Sequence, residues 1–172
     1  MPIFRHDTIR DAIFDEAKYA GLSPVKEARS LIQNSRSRPG DFFLQNWRGR
    51  QTAFDIAVTS PLSNSSLPRS CATAGAALES MINLKMNKHF RACQANGVHF
   101  IPLVVETLGG WDKDALHHLQ AISRLTSARN SSNGSTVTRH FFQRLSVLLQ
   151  RANAALIATR APTPPPPHVM GF

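Results

Sequence analysis

Four short stretches of this sequence put charged side chains where chemistry could use them. Arg38-Pro39-Gly40-Asp41 leads into Phe42-Phe43-Leu44, Asp55 interrupts Phe54-Asp55-Ile56-Ala57-Val58, Lys85 and Lys88 lie in an alanine-rich run, and Glu106 follows Val104-Val105. Alternation puts Asp55 on the face opposite Phe54, Ile56 and Val58. A carboxylate inside a buried strand is costly unless it is paired, hydrogen-bonded or bound to metal. Mg²⁺ needs only one or two carboxylates, with phosphate oxygens and water completing its shell. Asp41 and Asp55, on neighbouring strands, would supply that pair. Read alone, a strand aspartate also fits a solvated face or a turn cap.

Leu78, Met81 and Ile82 share one helical stripe, and Lys85 falls in its middle. A lysine there calls for a carboxylate or a phosphate, or else its methylenes pack while the ammonium reaches water. Lys88 sits at the edge of the stripe. Glu106 reads either as a ligand at the carboxyl end of a strand or as the cap of the turn before Gly109.

The elements that must hold these residues follow from hydrophobic period and punctuation. Helices are predicted over 7–20, 23–32, 72–92, 111–127 and 137–159. The second rests on Ser23 as cap and Pro24 at the first helical position; the fourth is capped by Asp112. Strands are predicted over 41–44, 52–59 and 98–105, the last apolar on both faces and so covered on both sides. Trp47-Arg48-Gly49-Arg50 is a cation-rich turn, and 60–70 reads as a Ser/Pro-rich loop. The expected fold class is α/β: a small mixed sheet of three to four strands flanked by helices, with extra C-terminal helices. Residues 1–37 form N-terminal helices, 38–127 the α/β core, 136–160 a helix packed on that core and 161–172 a disordered Pro-rich tail, whose PTPPPP run favours extended polyproline.

Composition narrows the function classes. Twenty Lys and Arg against eleven Asp and Glu give a net charge of +9, which favours a polyanionic partner, nucleic acid being the commonest. Hydrophobic residues at 42% suffice for a core, which argues against wholesale disorder. Two cysteines form no metal-binding or disulfide framework. The adjacent His117 and His118 point about 100° apart on a helix and make a poor chelate. Charges interrupt every apolar stretch of the first fourteen residues, so no signal peptide is expected, and no apolar run reaches the length of a membrane span.

The pieces RPGDFF, QTAFDIAVTSPL, the helix bearing Lys85 and Lys88, and GVHFIPLVVETLGGW resemble, in that order and over roughly residues 5–158, the restriction-like endonuclease domain of non-long-terminal-repeat retrotransposons. That domain belongs to the PD-(D/E)XK nuclease superfamily. The resemblance implies a restriction-endonuclease-like core that nicks DNA with Mg²⁺ or Mn²⁺, so that the freed 3′ hydroxyl primes copying of the element RNA. It implies Asp41 as the first acidic residue, with Gly40 set between it and Pro39, and Asp55 as the second. The usual lysine two residues after the second acid is here Ala57. In the retrotransposon branch a lysine of the following helix takes its place, so Lys85 and Lys88 become the catalytic candidates, and His89 stands where that branch often has tyrosine. Glu27, on the expected second helix, and Glu106 are candidates to complete the metal site. Arg36, Arg38, Arg48 and Arg50 would contact DNA phosphates, with Trp47 among them either stacking or packing in the core.

The resemblance further implies a C-terminal fragment of a reverse transcriptase polyprotein, with the reverse transcriptase domain and element RNA as partners in cis, a nuclear location and no membrane. His6 would be a relic of the zinc knuckle that precedes such domains. The alternatives are a catalytically inactive basic remnant that binds nucleic acid or protein, and a helical adaptor. The adaptor would present a free apolar patch around Phe141.

Overall fold

The computed structural model describes residues 3–33 and 38–160. Helix α1 (Ile3–Tyr19) is followed by the two-residue strand β1 (Val25–Lys26), then β2 (Phe42–Trp47) and β3 (Arg50–Thr59). The short helix α2 (Leu67–Ala72) and the long α3 (Ala76–Ala95) lead to β4 (His99–Glu106), and α4 (Lys113–Arg129) and α5 (Gly134–Ala158) complete the chain. The protein is α/β with a four-stranded mixed sheet in the order β1-β2-β3-β4. β1, β2 and β3 pair antiparallel, and β3 pairs parallel with β4 from Thr52↔His99 to Thr59↔Glu106. A parallel pair cannot be joined by a tight turn; α2 and α3 supply the crossover.

Helices cover the two faces of the sheet. Phe42, Leu44, Trp47, Phe54, Ile56, Ile101, Leu103 and Val105 pack with Ile9 and Ile13 of α1, Leu119 and Ile122 of α4, and Phe141, Leu145 and Leu149 of α5. On the other face Phe43, Ala53 and Phe100 meet Cys93 of α3 and Ile32. Period-2 alternation in β3 thus sends Phe54 and Ile56 to one core and Ala53 to the other, with Asp55 beside Ala53 on the α3 side.

The predicted helix over 23–32 is absent. Val25 and Lys26 pair with Phe43 and Phe42, and Glu27 and Ser30 adopt φ of 44° and 61°. Positive φ at non-glycine residues interrupts any helix. The Ser-Pro start signal was local, and the free edge of β2 outbid it with backbone hydrogen bonds. The expected loop over 60–70 ends in α2, which carries Pro68 in its first turn, where a missing N–H costs nothing. Asp112 caps α4 as expected, accepting from the N–H groups of Asp114 and Ala115.

The apolar face of α5 is not free. Phe141, Leu145, Leu149, Ala152 and Leu156 are buried, which removes the patch that the adaptor reading required. Among the described residues no helix is long and apolar enough to cross a membrane. Arg36 and the tail 161–172 lie outside the described residues.

Candidate active site

The site is built where β2 begins beside the middle of β3. Phe42 is the Cα partner of Phe54, so Asp41, one residue before Phe42, and Asp55, one residue after Phe54, stand beside each other on adjacent strands. The Asp41 backbone N–H donates to the Phe54 carbonyl at 2.8 Å. Its side chain carries the ladder one step further: Oδ2 accepts the Ile56 N–H at 2.7 Å. Gly40 makes this approach possible. A Cβ there would lie 2.7 Å from the Phe54 carbonyl oxygen and 3.2 Å from the Ala53 Cβ, so the residue set between Pro39 and Asp41 has to be glycine.

Asp55 is 7% exposed. Burial holds its carboxyl above the usual aspartate range; the Lys85 charge opposes that shift, and the Asp41 charge adds to it. Lys85 reaches across from α3, its Nζ 2.7 Å from Asp55 Oδ2. The contact is an ion pair between two largely buried groups. The α3 stripe of Leu78, Met81, Ile82, Lys85, Met86, His89 and Cys93 is half-buried to buried, whereas Lys88 is exposed. Of the two candidate lysines, only Lys85 joins the carboxylates.

His6 was expected only as a relic, and it sits in the site. Its Nε2 lies 3.0 Å from Asp41 Oδ2 and its Nδ1 3.1 Å from Asp7 Oδ1. Two carboxylates on one ring favour the doubly protonated form. The Asp41 hydrogen bond is the main reason that His6 titrates above its ordinary value. The stability His6 contributes is therefore complete below about pH 6.5 and is lost as pH rises through its folded pKa. Nothing local in the sequence marked His6, because its partner lies 35 residues away.

Five other candidates have other partners or lie elsewhere. Glu27 donates its backbone N–H to the Asp41 carbonyl at 2.9 Å, but its half-exposed carboxylate pairs with Arg38. That salt bridge engages Glu27 and Arg38 with each other. Glu106 is the partner of Thr59, whereas Asp55 is the partner of Pro102. Four residues of strand separate the two positions, about 13 Å. The Glu106 N–H instead donates to the Gly110 carbonyl and its own carbonyl accepts the Gly109 N–H, so it serves the turn. Arg48 and Arg50 lie at the β2–β3 turn, five or more strand residues from Asp55, which is at least about 16 Å. They belong to a separate basic corner.

In that corner Trp47 is 4% exposed and donates its Nε1–H to His118 Nδ1 at 3.2 Å. It packs in the core and does not stack on a ligand. His117 meets Arg48 at 2.8 Å, so the adjacent histidines serve different partners. Burial first, then the charges of Arg48 and His117, push His118 down to about 4. The folded state thus refuses a proton that the unfolded chain takes at about pH 6.5, and the stability His118 contributes is lost as pH falls from 6.5 towards 4. The gap caps the loss at about 3 kcal/mol, and solvent reaching the half-buried ring lowers the expectation to about 2 kcal/mol. Urea unfolding at pH 7 and pH 5 should show a larger fall for wild type than for His118→Gln. Equal falls would refute the assignment.

The donor set suits a hard cation. Among the described residues both aspartates make their side-chain contacts through Oδ2. Among the described residues no group of three or more His, Cys, Asp and Glu side chains could hold a metal by itself. Two carboxylates plus substrate oxygens and water are what Mg²⁺ uses.

Comparison with known protein families and with curated proteins finds no match. The chemistry must therefore be argued from the residues alone.

Proposed function

We propose that this chain is a metal-dependent DNA endonuclease domain that nicks one strand, of the restriction-like kind that the sequence resembles in non-long-terminal-repeat retrotransposons. The observation that carries the reading is the meeting of Asp41, Asp55 and Lys85. Two carboxylates and one ammonium, from two strands and a facing helix, sit in a partly desolvated place on a protein of charge +9. A purely structural ion pair needs one carboxylate; the second, fixed by a backbone N–H and the His6 ring, is what a phosphodiester site adds.

Oδ1 of Asp41 and Oδ1 of Asp55 would hold Mg²⁺ or Mn²⁺, which when bound polarises the phosphate and lowers the pKa of coordinated water. The Ile56 N–H and His6 fix the rotamer of Asp41, so that its free oxygen is pre-aimed. Lys85 Nζ donates to a non-bridging phosphate oxygen as negative charge builds there, in a setting where one such donor is worth about 10²–10³ in rate. Water oxygen attacks phosphorus and gives up a proton to solvent, the P–O3′ bond breaks, and the 3′ oxygen takes a proton from solvent, which leaves a 5′ phosphate and a 3′ hydroxyl. Lys85 thereby supplies from the facing helix the cationic donor that a lysine at position 57 would supply from the strand, where Ala57 has none. The same reading makes nuclear DNA the target and a reverse transcriptase domain and element RNA the functional partners.

The test is conversion of supercoiled plasmid to open circle by the purified chain with Mg²⁺ or Mn²⁺, and its arrest by chelator. DNA retention without nicking under either metal would reject the enzyme in favour of the non-catalytic nucleic-acid-binding remnant.

A further inference from the structure

The first turn of α1 carries a second cationic group beside His6. Arg5 points to a cavity of about 540 Å³ lined by Arg5, Thr107, Leu108, Asn153, Ile157 and Arg160, among others. The Arg5 Nη1–H donates to Asn153 Oδ1 at 3.0 Å. Asn153 is itself fixed, its Nδ2 donating to the Thr107 carbonyl at 2.7 Å. The guanidinium is therefore oriented through a chain of hydrogen bonds that ends on backbone.

Among the described residues no carboxylate neutralises this place. Among the described residues neither Arg5 nor Arg160 takes part in an ion pair. No acidic side chain lines the cavity. The sequence holds no Asp or Glu from residue 115 to the end, while six arginines fall there. Arg5 and Arg160 line the same cavity, and burial first, then the Arg160 charge, lower the pKa of Arg5. Leu108 and Ile157, 65% and 71% exposed, rim the opening. Two guanidiniums held near each other against apolar walls are relieved by an anion that accepts from both, and phosphate fits that fork geometry best.

We propose that Arg5 and Arg160 form a phosphate-binding subsite that grips the DNA backbone a few nucleotides from the scissile bond. The inference rests on the endonuclease reading for its ligand. Arg5 and His6 are consecutive, their Cα atoms about 3.8 Å apart, and His6 touches Asp41. Successive phosphates of one strand advance about 3.4 Å along the duplex axis, so a strand that presents one phosphate to Asp41, Asp55 and Lys85 passes the cavity mouth within a few steps. Leu108 and Ile157 would then flank the sugar. Contacts of this kind set position and carry no sequence information.

The experiment measures equilibrium binding of a short duplex over a range of salt without divalent metal, so that no cleavage intervenes. Loss of one phosphate contact lowers the slope of log K against log salt by about 0.9. Arg5→Gln/Arg160→Gln is expected to show that decrease, and Arg69→Gln, whose arginine pairs with Glu79 far along the chain, is expected to match wild type. Arg160→Gln alone, exposed beyond the end of α5, is expected to show most of the effect and carries the test if the double variant folds poorly. Slopes equal to wild type in both arginine variants would overturn the subsite. So would stabilisation by millimolar inorganic phosphate that depends on Arg160 while the DNA slope stays unchanged, since the cavity would then serve a free anion. The endonuclease reading fails separately, through absence of plasmid nicking by wild type.

Discussion

Lys85→Met is expected to slow plasmid nicking by about 10²–10³-fold while costing the folded state about 3 kcal/mol. The two effects have different causes, and a second variant separates them. The Lys85 ammonium lies 2.7 Å from Asp55, with side-chain exposures of 21% and 11%. Removing it leaves a buried carboxylate without its partner, which is the expensive way to break such a pair. The Asp55 carboxyl is already raised by burial, with Lys85 as the main opposing influence, so the variant raises it further. A raised carboxyl favours folding below the unfolded pKa of about 3.9 and loses that contribution as pH rises through the folded value. The instability of Lys85→Met should therefore be largest at neutral pH and shrink on acidification.

Asp55→Asn/Lys85→Met removes both charges. It should recover most of the lost stability and nick no faster than either single variant. Urea midpoints and open-circle formation measure the two quantities independently. Wild-type nicking by Lys85→Met would reduce Lys85 to a counter-ion and leave catalysis to other groups.

Phe54→Ala should cost about 4 kcal/mol, within the range for buried phenylalanine. Phe54 is fully buried between β2 and the helices. Its ring stacks on Phe42 at 4.9 Å and 14°, and meets the Trp47 ring edge-on at 5.8 Å. Deleting it removes transfer energy and leaves a cavity that two aromatic rings and a β-sheet cannot close. Because small domains are stable by only about 5–15 kcal/mol, the variant should be marginal at room temperature. Phe54→Leu should lose much less. The readout is the urea midpoint at constant slope; a loss for Phe54→Ala below about 1.5 kcal/mol would mean that the core relaxes around the gap. Phe54 immediately precedes Asp55 and its carbonyl accepts the Asp41 N–H, so loss of nicking in this variant would report on fold and not on chemistry.

Local periodicity was enough to place β3 and α3. Phe54, Ile56 and Val58 alternate, and Leu78, Met81, Ile82 and Lys85 recur at helical spacing. Both patterns are set within a few residues and need no knowledge of partners. They also put Asp55 on the face opposite Phe54 and Ile56, and Lys85 on the core-facing stripe of its helix, so both members of the ion pair stood out locally, although not that those two faces meet. The sheet with flanking helices, the Asp112 cap and the buried β4 followed from the same kind of signal.

Other features depended on contacts across long stretches of chain. Glu27 faces Arg38 because the chain around Val25 and Lys26 pairs with β2 as a strand and not as a helix. Lys88 is set aside because only Lys85 meets a carboxylate across the α3–β3 space. Glu106 is carried about 13 Å off by a parallel register, and Arg48 and Arg50 fall at the far end of a hairpin. His6 enters because the start of α1 docks beside β2. The sequence alone determined which residues share a face of one element, since backbone geometry repeats over two or 3.6 residues. The tertiary structure decided which faces meet, because docking depends on strand register and on backbone hydrogen bonds between segments far apart in the chain.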